Sequence, residues 1–284
     1  MYRFGFLYRF GFFVMLAVLG VIAYAGYDYF VFKTLVVNYM PRAALEELYS
    51  QHLGVQHRRS FSRDFDRMVI SVVTERLAEI ADDAHTYLYA PGEFSEVMAT
   101  DREIASAAEI RPLCDDTVYL YLPNISPRTR EFVQTNREYL AAYENLVLDL
   151  RGNYGGWMPA FHAIADLFVP QGAVVSREYA NLPLLTRAIT SRTPAYFSFE
   201  KITVLQDQNT ASAAESLILA LSAHVPGVVT VGETTFGKGT GQVTIPLTGR
   251  YALRATVFQV KSPTGQNIHQ MGIPPDIKLY SPKK

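Results

Sequence analysis

The sequence predicts an α/β domain that follows a helical segment and an N-terminal membrane helix. From residue 117 onward, short apolar runs alternate with helical patterns, which is typical of an α/β domain with a largely buried sheet. Before it, apolar residues recur at i, i+3 and i+4 between Ser62 and Ala81, which predicts an amphipathic helix. The N-terminus contains a long uncharged apolar stretch. The length of 284 residues suits one large domain with a small helical addition.

The apolar stretch from Phe10 to Tyr27 predicts a membrane anchor. Its uncharged residues would form a helix of ~27 Å, close to the ~30 Å thickness of a bilayer core. Because Arg3 and Arg9 precede it, we expect a single-pass helix with its start in the cytoplasm and the following domain outside. A cleaved signal peptide is the alternative, since Ala23-Tyr24-Ala25 resembles a cleavage site. Cleavage after Ala25 would give a secreted protein.

Three regions follow from these patterns. We expect residues 1–33 to hold the cytoplasmic start and the anchor or signal peptide, residues 34–110 a helical subdomain, and residues 111–284 the catalytic α/β core. The predicted helices lie at 41–53, 62–81, 102–108, 126–143, 157–168 and 212–221. The predicted strands lie at 117–122, 146–150, 173–179, 184–190, 202–205, 228–231, 242–247 and 251–260. Ser126-Pro127 marks one helix start, because proline is favoured directly after a capping serine.

Composition excludes several classes of function. The formal net charge of −1 gives no indication of nucleic-acid binding or of an acidic-substrate specialist. Cys114 is the only cysteine, so neither an intrachain disulfide nor a cysteine-based metal site is possible. No histidines are paired at a ligand spacing, so we expect no metal and no other cofactor.

The segment from Asn209 to Glu215 is the main candidate for chemistry. It follows an apolar strand and leads into a helix, so Ser212 would lie among backbone N–H groups that favour developing negative charge. Downstream, Lys238 lies between two glycines, and a desolvated lysine can serve as the base for a serine nucleophile. A plain helix N-cap is the alternative role for Ser212. Thr210, a candidate cap, and Ser216, one turn into the helix, are poorer nucleophile candidates.

Five patterns in this order resemble the C-terminal processing (tail-specific) serine protease family, and the resemblance covers roughly residues 62–280. It implies a crotonase-like, ClpP-like α/β core. The patterns are Asp83-x-His85-Thr86-x-Leu88, Leu148-Asp149-Leu150-Arg151-Gly152-Asn153-Tyr154-Gly155-Gly156, Thr210-Ala211-Ser212-Ala213-Ala214-Glu215, Gly232 to Gln242, and Gly265-Gln266-Asn267-Ile268 with Gly272-Ile273-Pro274-Pro275-Asp276-Ile277.

The resemblance assigns roles to individual residues. It implies Ser212 as nucleophile, Lys238 as base and Gln242 as the residue that orients the lysine. It also implies an oxyanion hole made by the N–H groups of Gly156, with Gly155 as the near alternative, and Ala213. A lysine with a pKa of ~10.4 must lose about three units to act as a base at neutral pH, which costs ~4 kcal/mol.

Three further features have competing interpretations. His85 is expected to be structural or supporting, although some relatives use a histidine as the base. Asp149 and Arg151 are expected to brace the end of a strand and the following turn. Gly232-x-x-x-x-Gly237-Lys238 imitates a phosphate-binding loop, but the next residue is not Ser or Thr and a strand pattern follows, so no nucleotide site is expected.

The spacing of the motifs also predicts what is missing. Only about 30 residues separate Thr86 from the strand at Thr117, too few for the PDZ domain that many family members carry there. The expected function is a membrane-anchored serine endopeptidase that acts on extracytoplasmic proteins or peptides. A non-catalytic peptide-binding or scaffolding member at the membrane stays open, as does another acyl-transfer or hydrolase chemistry on the same core. The oligomeric state is not indicated.

Overall fold

The computed structural model describes residues 74–76, 78–180, 183–247 and 250–279. The predicted anchor, the alternative cleavage site and the helix at 41–53 lie outside these residues. Helical residues at 74–76 and 78–80 fall within the helix predicted from Ser62 to Ala81. No helix in these described ranges is long and apolar enough to cross a membrane.

The fold is a mixed α/β arrangement, as predicted, and its described elements run in the following order. The strands are β1 (Tyr87–Tyr89), β2 (Glu109–Pro112), β3 (Thr117–Tyr121), β4 (Asn145–Asp149), β5 (Val174–Tyr179), β6 (Arg187–Thr190), β7 (Lys201–Gln206), β8 (Val228–Gly232), β9 (Thr240–Pro246), β10 (Ala252–Lys261) and β11 (Ile277–Lys278). The helices are α1 (Glu93–Ala105), α2 (Pro127–Thr135), α3 (Arg137–Leu140), α4 (Met158–Ala165) and α5 (Ala213–His224), with a 3₁₀ turn at Pro183–Leu185.

The chain divides into two compact units. Among the described residues, the smaller consists of those before Ser95 together with Gln242–Val257, and the larger consists of Ser95–Gly241 together with those from Phe258 to residue 279. In the smaller unit, β1 pairs antiparallel with the start of β10, with Tyr87 opposite Arg254. In the larger unit, the end of β10 pairs with β5, which pairs with β6. The predicted regions 34–110 and 111–284 stay predictions.

The sheet of the larger unit sets where its loops emerge. Its six strands have the order β11-β8-β7-β4-β3-β2, and only β2 runs antiparallel to its neighbour. β4 and β7 are adjacent and parallel, with Asp149 opposite Leu205. In a parallel sheet, segments that follow the carboxyl ends of neighbouring strands start at the same edge, where α/β proteins bind ligands. The residues after Asp149 and after Gln206 therefore begin side by side.

Helices pack their apolar residues against this sheet. Leu148 of β4 and Val204 of β7 are buried with Phe161 of α4 and Leu217 of α5 in one core cluster. Each such side chain contributes about 1.5–3 kcal/mol through removal from water. This burial explains why the strands of the core read as apolar runs in the sequence.

Three predicted elements differ in detail, and strands β1, β2 and β11 were not predicted. The helix expected at 102–108 is α1, which begins at Glu93 and ends at Ala105. The helix expected at 126–143 is divided into α2 and α3 at Asn136, whose side-chain amide donates to the Phe132 carbonyl at 2.8 Å. An asparagine side chain that bonds the backbone competes with helix continuation in this way. The strand expected at 184–190 begins only at Arg187, because the preceding residues form the 3₁₀ turn.

Candidate active site

The loops after β4 and β7 are fastened to each other. The Ala211 N–H donates to the Asn153 carbonyl at 2.9 Å, and the Thr210 hydroxyl donates to the Leu150 carbonyl at 2.8 Å. The Leu150 N–H in turn donates to the Leu205 carbonyl at 2.9 Å. These bonds hold the glycine-containing turn at 150–156 against the segment that leads to Ser212.

Of the three hydroxyl residues in the serine motif, Ser212 is the most accessible. Thr210 has no exposed surface and donates its hydroxyl to a backbone carbonyl. Ser216 is buried, and its hydroxyl donates to the Ser212 carbonyl at 3.3 Å. Ser212 is partly exposed between the buried Ala211 and Ala213. A reacting hydroxyl must be reachable, and of these three residues only Ser212 is not buried.

The backbone of Ser212 has a conformation that is costly for a residue with a side chain. It caps α5 with φ 56° and ψ −119°. Such a positive φ costs about 1–3 kcal/mol and persists only where surrounding contacts impose it. Residues that merely cap a helix normally have extended backbone. In enzymes of the α/β-hydrolase fold, by contrast, the nucleophilic serine occupies a strained turn between a strand and a helix.

The glycine turn lies directly against Ser212. A Cβ on Gly155 would lie 2.8 Å from the Ser212 Cβ and 2.8 Å from the Ala213 nitrogen, closer than real contacts permit. A Cβ on Gly156 would overlap the Ile125 carbonyl oxygen. Both glycines have positive φ, 92° and 143°. Glycine is therefore required at both positions for two reasons. An added Cβ would clash with neighbouring atoms, and a residue with a side chain rarely adopts this positive φ.

The two glycines differ in how well they could donate to an oxyanion. Gly155 is buried, and its N–H donates to the Asn153 side-chain oxygen at 2.9 Å. Gly156 is exposed. Ala213 is the first residue of α5, and the N–H groups of a first helical turn have no acceptor within their helix. The Gly155 N–H therefore already has an acceptor, and the oxyanion hole of Gly156 and Ala213 stays a prediction.

A buried carboxylate connects the serine turn to the lysine loop. Oε2 of Glu215 accepts the N–H of Ser212 at 2.7 Å and the N–H of Lys238 at 2.8 Å. Oε1 accepts the N–H of Gly237 at 2.7 Å and the hydroxyl of Thr235. The backbone N–H groups of the candidate nucleophile and the candidate base thus donate to the same acceptor oxygen. Sequence reasoning quoted Glu215 within a motif but assigned it no role.

The last motif supports the lysine loop from another direction. The Thr235 N–H donates to the Ile273 carbonyl, and the Ile273 N–H donates back to the Thr235 hydroxyl at 2.7 Å. Asp276 accepts both the N–H and the hydroxyl of Thr230 at 2.8 and 2.9 Å, which ties the motif to β8. The Gly-Ile-Pro-Pro-Asp segment therefore helps to build the site rather than acting in chemistry itself.

Asp149 and Arg151 brace the start of the glycine turn, as predicted. The Asp149 side chain is 3% exposed, receives three side-chain bonds from Arg151 at 2.9, 3.2 and 2.6 Å, and accepts the Tyr119 hydroxyl at 2.8 Å. Burial acts to raise the pKa of Asp149, but hydrogen bonds from Arg151 and Tyr119 outweigh it, so the pKa is lowered. Burial and the bond to Asp149 together raise the pKa of Tyr119 to about 12.

Two predicted residues, His85 and Gln242, belong to the smaller unit. The His85 N–H and the Thr86 hydroxyl both donate to Asp83, at 3.0 and 2.6 Å. Thr86 then accepts the Thr256 N–H at 2.9 Å, and the Thr256 hydroxyl accepts the side-chain amide of Gln242 at 3.0 Å. This series of hydrogen bonds connects the Asp-x-His-Thr motif to Gln242, a connection that the linear sequence does not reveal. Ser212, Lys238, Gly156 and Ala213 belong to the larger unit.

Known proteins are similar in sequence to about half of this chain. The C-terminal processing peptidase of the Tetradesmus obliquus chloroplast is 34% identical over 134 residues, which are 47% of this chain and 28% of that protein. The carboxy-terminal processing protease CtpB of Bacillus subtilis is 30% identical over 171 residues, which are 58% of this chain and 34% of that protein. The chain spans about a third of the length of the curated relatives that it matches.

Solved structures agree with the fold. A lipoprotein from Streptococcus agalactiae superimposes with a TM-score of 0.66 at 20% identity over 88% of each chain. A photosystem II D1 C-terminal processing protease superimposes with a TM-score of 0.59 at 18% identity over 92% of each chain. The family model described as Peptidase family S41 matches residues 116–279, more than half of the chain. The chain therefore belongs to peptidase family S41.

Proposed function

We propose that this chain is a serine endopeptidase that cleaves peptide bonds with Ser212 as the nucleophile and Lys238 as the general base. One observation carries the proposal: the strained backbone of Ser212, with φ 56°, at the start of α5. Helix capping alone does not require this conformation, whereas presentation of a reactive hydroxyl at a strand-to-helix turn does. Strain of this kind is concentrated at functional sites.

The chemistry follows from the roles of these groups. The Ser212 hydroxyl attacks the carbonyl carbon of the peptide bond while the neutral Lys238 amine takes its proton. The lysine then passes the proton to the leaving amine, and a water activated by the same lysine hydrolyses the acyl-enzyme. The N–H groups of Gly156 and Ala213 stabilise the oxyanion, and such a donor is commonly worth about 3–4 kcal/mol in the transition state.

The proposal extends to the setting of the reaction. The core is of the crotonase-like, ClpP-like type, and the substrates are extracytoplasmic proteins or peptides. The apolar segment at 10–27 anchors the chain as a single-pass protein, with the catalytic core on the outer side of the membrane. The names of the relatives refer to processing of carboxy-terminal ends, and this supports proteins as the substrate class.

A direct test uses the full chain in detergent with an unfolded protein substrate and a fluorophosphonate probe of reactive serines. We expect wild type to cleave the substrate and to be labelled, and both Ser212→Ala and Lys238→Ala to lose cleavage. Ser126→Ala, at another helix start, is the matched control and should keep activity. A wild-type chain that neither cleaves nor labels would instead support the non-catalytic, peptide-binding alternative. If Lys238→Ala cleaves while His85→Ala does not, the base is wrongly assigned.

A further inference from the structure

We propose that Glu215 is a positioning residue that holds the nucleophile turn and the base loop together; this inference rests on the proposed roles of Ser212 and Lys238. Glu215 has no exposed surface. Burial of a carboxylate is unfavourable unless its oxygens accept hydrogen bonds. Here both oxygens accept two bonds each, and all four donors are uncharged N–H or O–H groups.

The bonds of Glu215 join two distant parts of the sequence. Ser212 lies three residues before it, whereas Thr235, Gly237 and Lys238 lie 20, 22 and 23 residues after it. A glutamate that only completes a capping box accepts the N–H of its own cap residue. Glu215 does this and also accepts the N–H of Lys238 on the same oxygen. The side chain is therefore a cross-link as well as a cap.

The cross-link acts at the atoms that the proposed reaction must align. The bond from the Ser212 N–H to Glu215 helps to hold the strained conformation of Ser212. The bonds from the N–H groups of Gly237 and Lys238 fix the backbone that carries the lysine side chain. Displacement of a catalytic group by about 1 Å can cost on the order of 100-fold in rate. Glu215 itself acts through these residues and not by contact with the reacting atoms.

Glu215→Gln is the informative variant. An amide keeps the volume but has a single acceptor oxygen, so its NH₂ group must face one of the two pairs of donors. We expect kcat to fall on the order of 100-fold while KM changes less than about threefold, because alignment rather than substrate binding is impaired. Thr129→Val is the matched control: Thr129 is also buried and accepts the N–H of a cap serine, Ser126, at 2.9 Å, but its bond is confined to one turn.

Hydrogen exchange of individual amides provides a readout that does not depend on activity. In Glu215→Gln we expect faster exchange at Ser212 and also at Gly237 and Lys238, whereas Thr129→Val should change exchange only around Ser126. Should Glu215→Gln not fold, Glu215→Asp replaces it, since the shorter carboxylate cannot reach both segments. Unchanged exchange at Gly237 and Lys238 overturns the inference, as does a kcat within threefold of wild type. An inactive wild type whose exchange responds as expected refutes the proposed function and leaves the cross-link in place.

Discussion

Two serines in this molecule cap helices but have different backbone conformations. Ser126 caps α2 with extended backbone, φ −138° and ψ 168°, and its hydroxyl accepts the Thr129 N–H at 3.2 Å. Ser212 caps α5 with φ 56°. At both helices the residue three positions on accepts the N–H of the serine, Thr129 at 2.9 Å and Glu215 at 2.7 Å. The local pattern of a cap serine and its partner is thus the same.

The difference between the two turns lies in what surrounds them. The hydrogen bonds between Ser126 and Thr129 stay within one turn, and the backbone adopts its low-energy form. Ser212 is confined by Gly155 on one side and is bound through Glu215 to the loop of Lys238 on the other. A capping serine needs only its own helix, whereas a serine held in strain needs contacts from distant segments.

The largest difference between the two turns should appear in activity. Ser212→Ala removes the proposed nucleophile, so we expect cleavage of an unfolded protein substrate to fall by on the order of 10⁴-fold or more. Ser126→Ala removes only a cap, so it should keep kcat and KM and lose about 1 kcal/mol of unfolding free energy. Steady-state kinetics and denaturant unfolding of both variants measure this. Equal loss of activity in the two variants would mean that the turns do not differ in function.

The contact between the glycine turn and Ser212 can be broken directly. In Gly155→Ala the new Cβ would lie 2.6 Å from the Ala211 oxygen and 2.8 Å from the Ser212 Cβ, so we expect a rate loss of about 100-fold from displacement of the serine. Gly172→Ala is the control, because Gly172 also has positive φ, 84°, but an added Cβ meets nothing within 4 Å. It should lose about 1–2 kcal/mol of stability from backbone strain and keep its activity. Comparable activity in the two variants would contradict the role of the contact.

The two turns should also differ in their response to acid. The Ser126 turn is held by hydroxyl groups, whereas the turn against Ser212 begins after Asp149, whose pKa is lowered by bonds from Arg151 and Tyr119 that outweigh its burial. A carboxylate with a lowered pKa in the folded state stabilises the protein above its unfolded pKa of ~3.9, and this stability is lost as pH falls through the folded pKa.

Unfolding free energy measured from pH 7 down to pH 2.5 tests that response. Below about pH 4, wild type should lose the contribution of Asp149, while Asp149→Asn should already lack it at pH 7, by about 1–2 kcal/mol. The difference between the two proteins should therefore shrink as pH falls. Thr129→Val should keep the pH dependence of wild type. A constant difference between wild type and Asp149→Asn across the whole range would show that Asp149 does not contribute through its charge.

The smallest expected effect is a change in unfolding free energy, and it tests the backbone strain at Ser212 directly. Ser212→Gly relieves the positive φ, so unfolding free energy should rise by about 1 kcal/mol although activity is lost. Ser126→Gly has no strain to relieve and should lower the unfolding free energy by a few tenths of a kcal/mol. Chemical denaturation of the two variants beside wild type decides this. A destabilised Ser212→Gly protein would show that residue 212 carries no strain worth relieving.

Much of the fold was predictable because it depends on short-range patterns. Buried parallel strands read as apolar runs, and a capping serine before proline marks the start of α2, so these elements were found in order. The division of the predicted helix at Asn136 and the 3₁₀ turn at Pro183–Leu185 were not found. Both depend on the choice between local hydrogen-bonding arrangements of similar energy, which periodicity does not resolve.

For the candidate site, the sequence indicated residue types but not their connections. The Ser-x-x-Glu pattern at 212–215 is a recognisable capping signal and could have directed attention to Glu215. No such signal marks its bonds to Gly237 and Lys238, or the hydrogen bonds from Thr86 through Thr256 to Gln242, since these partners come from remote segments. The bond from the Gly155 N–H to the Asn153 side chain is local, but sequence reasoning did not identify it.

By itself, the sequence determined the alternation of strands and helices, the positions of the two cap serines and the order of the motifs, because each of these depends on residues close together in the chain. Only the tertiary structure decided which serine is strained. The positive φ of Ser212 is imposed by contacts of Gly155 and of the segment around Lys238, both far from it in sequence. Ser126, whose hydrogen bonds to Thr129 and Arg130 stay within its own helix, has the extended form.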